Sequence, residues 1–291
     1  MTAIETIRRD VHICMFDLYG TVVDMQSGLT RAVTPYLKAK RWPGEPSRLV
    51  TWWRRTHFEN SMIDGLLHRE HIPYREIGRI SLSYTLERAG IEHTQEEVKR
   101  LVAEIERLPP FPDAVEALTR LKRKYRLVIL SNGDPDMLEA IKPHLGIEFN
   151  RVISVAEAGC FKPHAATYRK AAEIMAAQPD QILFVANHAF DCVGAKASGM
   201  RAAFIDRRKR PYGDWPYQPD LVLGEYYTPD GSGAYVACEN GGYIAVIDAR
   251  SHKLLLKIQL NILMRQLKLL SAILPEKHIH PQFIKTRKSF Q

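Results

Sequence analysis

The sequence predicts an α/β protein: a parallel-sheet core, a helical insertion after its first strand, and a short β-rich C-terminal extension. Three observations predict it. From 112 to 206 short apolar runs alternate with helix-length segments, the pattern of parallel strands joined by crossovers. Residues 25–107 carry helical patterns with few strand-like runs. From about 226 the chain turns to short apolar runs separated by Gly-rich turns.

The first element is the run Ile13, Cys14, Met15, Phe16, too short for a helix and bounded by a turn signal, hence a buried strand. Asp17 ends it, with Gly20 and Thr21 just beyond. Ligands and reacting groups gather at the carboxyl ends of strands in an open α/β sheet. A carboxylate there is a candidate nucleophile, and the same residue type also suits the cap of a following helix. Helices are expected at 27–40, 46–62, 69–89 and 94–107, the last opened by the capping-box pair Thr94 and Glu97. Trp42, Trp52 and Trp53 fall in this block and read as packing residues. LPPFPDAV (108–115) is a hinge, because its prolines break helix and fix direction.

Helix 112–124 then leads to strand 126–134, which ends in Ser131, Asn132 and Gly133. A helix at 135–144 precedes strand 151–157, with Lys162 and Pro163 shortly after it. Helix 164–176 leads to strand 181–187, ending in Asn187 and His188 with Asp191 close by. Helix 190–199 and strand 201–206 complete the series. Parallel strands bring these polar ends to one edge of the sheet. The expected division is a core of 1–24 and 108–220, a helical insert of 25–107, and an extension of 221–291.

Composition narrows the classes. With 45% hydrophobic and 25% charged residues the chain reads as a soluble globular protein. The polar start, MTAIETIRRD, offers no secretory signal, and no apolar run reaches membrane-spanning length. Cys14, Cys160, Cys192 and Cys238 lack CxxC spacing and read as reduced thiols of a cytoplasmic protein. The formal charge of +8 is uneven: residues 251–291 hold eight Lys or Arg against Glu276, so the preceding 250 residues are nearly neutral. A basic tail of this kind argues against a nucleic-acid face on the main domain.

The four strand ends resemble the four motifs of the haloacid dehalogenase superfamily over about residues 10–220. FDLYGT supplies the first, LSNG the second, Lys162-Pro163 the third and FVANHAFDCVGA the fourth. The resemblance implies a Rossmann-like core with a cap domain, and Asp17 as nucleophile. Phosphatases of the superfamily carry DxDxT, whose second Asp protonates the leaving oxygen; here that place is Tyr19. Their fourth motif uses acids to hold magnesium; here Asn187 replaces the first and Asp191 remains. DxYGT, SNG and Lys-Pro instead resemble the type II L-2-haloacid dehalogenases, which implies no metal and no cofactor.

That resemblance implies hydrolysis of short 2-haloacids to 2-hydroxyacids. Asp17 attacks C2 with inversion, and water then opens the resulting ester. Halide leaves as a stable anion, so no acid is needed on its side. Lys162 is expected beside Asp17, keeping it ionised, where a solvated surface lysine is the alternative. The resemblance places Tyr19, Thr21, Ser131, Asn132, Asn187 and Phe190 in the substrate pocket, with Arg54 on the cap receiving halide and Arg55 as its neighbour in the alignment. Tyr168 matches a pocket tyrosine, although a helical tyrosine often only packs. Typical members read FVSSNAWD where this chain reads FVANHAFD. Asp191 and His188 are the candidates for orienting or activating the hydrolytic water. The partners implied are a haloacid and water, with neither nucleic acid nor membrane, and a homodimer left open. A phosphatase of the same superfamily and a catalytically silent binding protein are the other readings.

Residues 226–258 resemble one YVTN-type β-propeller repeat, with a PDG turn, a YVA strand, an ENGG turn and an IAVIDA strand. One repeat cannot close a propeller, because neighbouring blades must bury its faces. Residues 261–274 have the pattern of an amphipathic helix, and the basic end reads as a solvated tail.

Overall fold

Strand β1 (Ile13–Phe16) is buried along its whole length at the centre of a parallel sheet. It pairs with β2 (Arg126–Ser131) on one side and β4 (Ile182–Ala186) on the other, with Cys14 opposite both Leu127 and Leu183. β3 (Arg151–Ser154) flanks β2 and β5 (Arg201–Ile205) flanks β4. The five strands therefore lie in the order β3-β2-β1-β4-β5, and every pairing among them is parallel. Strands covered on both faces lose polar alternation, which is why they read as continuous apolar runs.

The structure is a computed structural model. It describes residues 3–67, 70–208 and 210–223, and beyond them the strands at 226–227, 233–238, 243–248 and 254–259. Helix α1 (Ala3–Asp10) precedes the sheet and is too short for its periodicity to stand out in the sequence. Between β1 and β2 come α2 (Met25–Ala39), α3 (Pro46–Leu66), α4 (Tyr74–Arg88) and α5 (Gln95–Ala103), each packed on the next. The chain enters and leaves this insert through adjacent segments. Asp24 N donates to Pro109 O at 2.9 Å, and Phe111 N to Val22 O at 2.9 Å. Then α6 (Ala114–Leu121), α7 (Pro135–Ile141), α8 (Ala165–Ile174) and α9 (Ala189–Ala197) precede β2, β3, β4 and β5 in turn.

Local chemistry sets the boundaries. The expected capping box forms: Thr94 Oγ1 accepts from Glu97 N at 3.2 Å and the Glu97 carboxylate accepts from Thr94 N at 2.8 Å. The helix expected from residue 69 starts at Tyr74, because Pro73 disfavours helical backbone in the residue before it. β3 stops at Ser154, three residues short of expectation. The Ser154 hydroxyl accepts from Ala156 N at 3.2 Å and opens a 3-10 turn over Val155–Ala158.

The described residues divide into two compact units, one within 3–205 and 212–219 and the other within 206–211 and 220–259. The second contains β6 (Leu221–Leu223) and an antiparallel sheet in the order β10-β9-β8-β7. Its strands are β7 (Tyr226–Tyr227), β8 (Gly233–Cys238), β9 (Tyr243–Asp248) and β10 (Leu254–Gln259). The helix expected at 261–274 and the basic end lie outside the described residues. Among the described residues, no helix is long and apolar enough to cross a membrane.

Candidate active site

Asp17 stands one residue beyond β1, its backbone N–H still donating to Val185 O of β4 at 3.0 Å. The loop after it turns tightly on the carbonyl of Leu18, which accepts from Val22 N and Val23 N, both at 3.0 Å. Gly20 adopts φ +91°, which favours glycine, and space demands glycine too. A Cβ there would meet His188 Cε1 at 3.1 Å and Arg54 Nη2 at 3.3 Å. An imidazole from the end of β4 and a guanidinium from α3 thus close on the loop that carries Asp17.

The Asp17 carboxylate is nearly buried and has three neighbours. Lys162 Nζ donates to Oδ1 at 2.8 Å, Thr21 Oγ1 donates to Oδ2 at 2.7 Å, and His188 Nδ1 lies 3.4 Å from Oδ2. Lys162 is equally buried and divides its protons among Asp17, Asp191 Oδ2 at 2.7 Å and Leu130 O at 3.0 Å. Tyr168 donates its hydroxyl to Asp191 Oδ1. A continuous chain results: Tyr168, Asp191, Lys162, Asp17.

The two carboxyls titrate in opposite directions. Burial alone would raise Asp17, but Lys162 and then His188 outweigh it and hold the carboxyl below its ordinary value. For Asp191 burial wins against the pull of Lys162, the Asp17 charge adds to it, and the carboxyl rises to about 6. Burial would likewise strip the proton from Lys162, yet Asp17 and Asp191 together raise its pKa. Removing Lys162 would leave both carboxyls buried without a cation, a loss of about 3–5 kcal/mol.

The other residues singled out in the sequence fall around this chain. Asn187 braces the nucleophile loop: its N–H donates to Thr21 Oγ1 at 2.9 Å and its Nδ2 to Gly20 O at 3.0 Å. Asn132 Oδ1 accepts from Lys162 N at 3.0 Å, and the fully buried Ser131 hydroxyl accepts from Gly133 N at 3.2 Å. Tyr168 is fully buried against Asp191. Tyr19 stacks on Tyr74, centroids 5.7 Å apart and planes at 4°, and its buried hydroxyl has no hydrogen-bond partner among the described residues. Arg54 donates Nη1 to Gln26 Oε1 at 2.9 Å. Phe190 packs on the His188 ring at 5.4 Å.

Two neighbours of the site were not singled out. Phe58 stands 4.4 Å from the Phe190 ring and follows Arg54 by four residues on α3. That i, i+4 spacing puts both on one helix face and is the signal that finds it. Asp134 is the other; its place before Pro135 reads as an ordinary cap for α7.

The haloacid dehalogenase-like hydrolase family matches residues 11–199, and the chain belongs to that family. It is 34% identical over 195 residues to an (S)-2-haloacid dehalogenase of Xanthobacter autotrophicus, covering 66% of this chain and 74% of the relative. It is 29% identical over 218 residues to the haloacetate dehalogenase H-2 of Moraxella sp. (strain B), covering 74% and 94%. A solved structure of the Xanthobacter autotrophicus L-2-haloacid dehalogenase with chloropropionic acid covalently bound is similar too. That likeness has a TM-score of 0.64 at 28% identity, over 73% of this chain and 94% of the other.

Proposed function

We propose that this protein hydrolyses the carbon–halogen bond of short 2-haloacids, releasing halide and a 2-hydroxyacid. The observation that carries the reading is the Asp17 carboxylate, buried yet held ionised by Lys162, with Tyr19 where an acid would serve a phosphatase. A carboxylate oxygen of Asp17 displaces halide from C2 with inversion and forms an ester. Arg54, poised over Gly20, receives the departing anion. Water then attacks the ester carbonyl, the C–O bond to Asp17 on the carbonyl side breaks, and the hydroxyacid leaves. His188 or Asp191 takes the proton of that water. The relative with chloropropionic acid covalently bound supports the covalent route.

Tyr168 positions Asp191, and Thr21 and Asn187 hold the nucleophile loop. Ser131, Asn132 and Tyr19 face the substrate carboxylate in this reading. The Phe58–Phe190 pair closes the insert side of the pocket, which favours small substituents on C2. Lys162, seated between both carboxylates, supplies the cation that a metal supplies elsewhere, so the proposed reaction needs no metal or cofactor. We also take 25–107 as a cap domain over the 1–24 and 108–220 core, and the 226–258 stretch as one propeller-type repeat on its sequence pattern alone.

Halide release from L- and D-2-chloropropionate, each with and without EDTA, tests the function. Release from the L isomer alone, unaffected by EDTA, is expected. Absence of halide with every 2-haloacid overturns the reading.

A further inference from the structure

We propose that Asp134 is a positioning residue that holds the helical insert closed over Asp17, by capping an insert helix from the sheet side. This rests on the dehalogenase reading for its kinetic consequence. Asp134 occupies the N-cap position of α7 but makes no side-chain bond to its own helix. Its carboxylate instead accepts from Tyr74 N at 2.7 Å through Oδ1 and from Arg75 N at 3.0 Å through Oδ2. Those are the first two amides of α4, whose own N-cap is Pro73 and has no capping side chain. A helix start with unsatisfied amides and a partial positive charge therefore draws its carboxylate from the loop that carries Ser131 and Asn132.

The contact reaches the reacting groups in two directions. The Tyr74 ring stacks on Tyr19, two residues from the nucleophile, and lies 4.0 Å from the His57 ring. His57 Nε2 lies 3.1 Å from Tyr74 O, Trp53 Nε1 donates to Gly78 O at 3.1 Å, and Asn60 donates to Ser81 at 3.1 Å. These contacts tie α4 to α3, the helix that carries Arg54 and Phe58. Arg75 adds a second tie, pairing with Asp136 of α7 at 2.8 Å. Asp134 thus fixes α4, α4 fixes α3, and α3 sets Arg54 above Gly20. When only a fraction of molecules holds the closed arrangement, apparent affinity falls by that fraction, while substrate once bound still selects the closed form.

Asp134→Ala and Asp134→Asn, assayed for halide release from L-2-chloropropionate and for amide hydrogen exchange over 72–80, test the proposal. Asp134→Ala should raise KM about tenfold and change kcat less than about threefold. The amides of Tyr74 and Arg75 should exchange faster while β1 and β4 keep their protection. Asp134→Asn retains one acceptor and should fall between wild type and Asp134→Ala in both readouts. Faster exchange with unchanged KM would reduce Asp134 to a local cap and overturn the positioning role. Unchanged exchange at Tyr74 and Arg75, or loss of protection across the whole sheet, would overturn it as well. If the wild type releases no halide, the dehalogenase reading fails, and the exchange result still decides whether Asp134 caps α4.

Discussion

His188 Nδ1 lies 3.4 Å from Asp17 Oδ2, the oxygen that Lys162 leaves to Thr21. The imidazole therefore sits beside the carbonyl that an ester at Asp17 would present to water. His188→Ala should slow turnover about 10²-fold while leaving a first burst of halide. Mass spectrometry of acid-quenched protein should then find Asp17 carrying the substrate's carboxyalkyl group as an ester. Loss of the burst would place His188 in binding or alkylation, and unchanged turnover would remove it from the reaction.

The Asp191 carboxyl, raised to about 6, makes turnover pH-dependent if its ionised form orients the water. Activity should climb as pH rises through about 6, and Asp191→Asn should abolish that limb with most of the rate. Stability runs the opposite way. A carboxyl raised on folding contributes stability that is present below its unfolded pKa and lost as pH rises through the folded one. Thermal melts from pH 4 to 7 should show wild type losing ground to Asp191→Asn across that window.

Asp17→Asn should lower halide release by at least about 10³-fold, because an amide is a poor nucleophile at carbon. Lys162 keeps Asp191 as its partner in this variant, so circular dichroism should remain native. A rate near wild type in folded protein would reject Asp17 as the nucleophile.

Phe58→Ala should open the insert side of the pocket. The ratio of kcat/KM for 2-chlorobutyrate over chloroacetate should rise roughly tenfold, about what one or two methylenes are worth in an apolar pocket. Arg54→Ala should lower kcat for both acids together, because the lost contact is to the departing halide. A Phe58→Ala ratio equal to wild type would show that the aromatic pair does not bound the substrate.

The strand ends explain what was legible. Asp17, Lys162, Asp191 and His188 lie on short loops or the first helical turn beyond apolar runs, and parallel pairing of β2, β1 and β4 leaves one way for those ends to converge. The capping box at Thr94 was legible for the same reason, since it is local. Phe58 and Asp134 owe their places to helices packed across the insert. No pattern within α3 says that Phe190 will meet Phe58, and Asp134 follows every rule for capping α7 while capping α4. The Tyr168–Asp191 contact was hidden likewise, because a helical tyrosine carries no mark of the acid it will meet.

The central position of β1 also has a consequence for biosynthesis. Lys162 follows Asp17 by 145 residues, which at about 5–20 residues per second separates their synthesis by roughly 7–30 s. Both edges of this apolar strand stay open until β2 is made, and its terminal carboxylate has no ammonium to face until Lys162 follows. The insert helices are complete much sooner, and their mutual contacts are local, which favours fast folding. A ribosome-arrested chain ending before residue 126, where β2 begins, should therefore carry protease-resistant α2–α5 beside a cleavable β1.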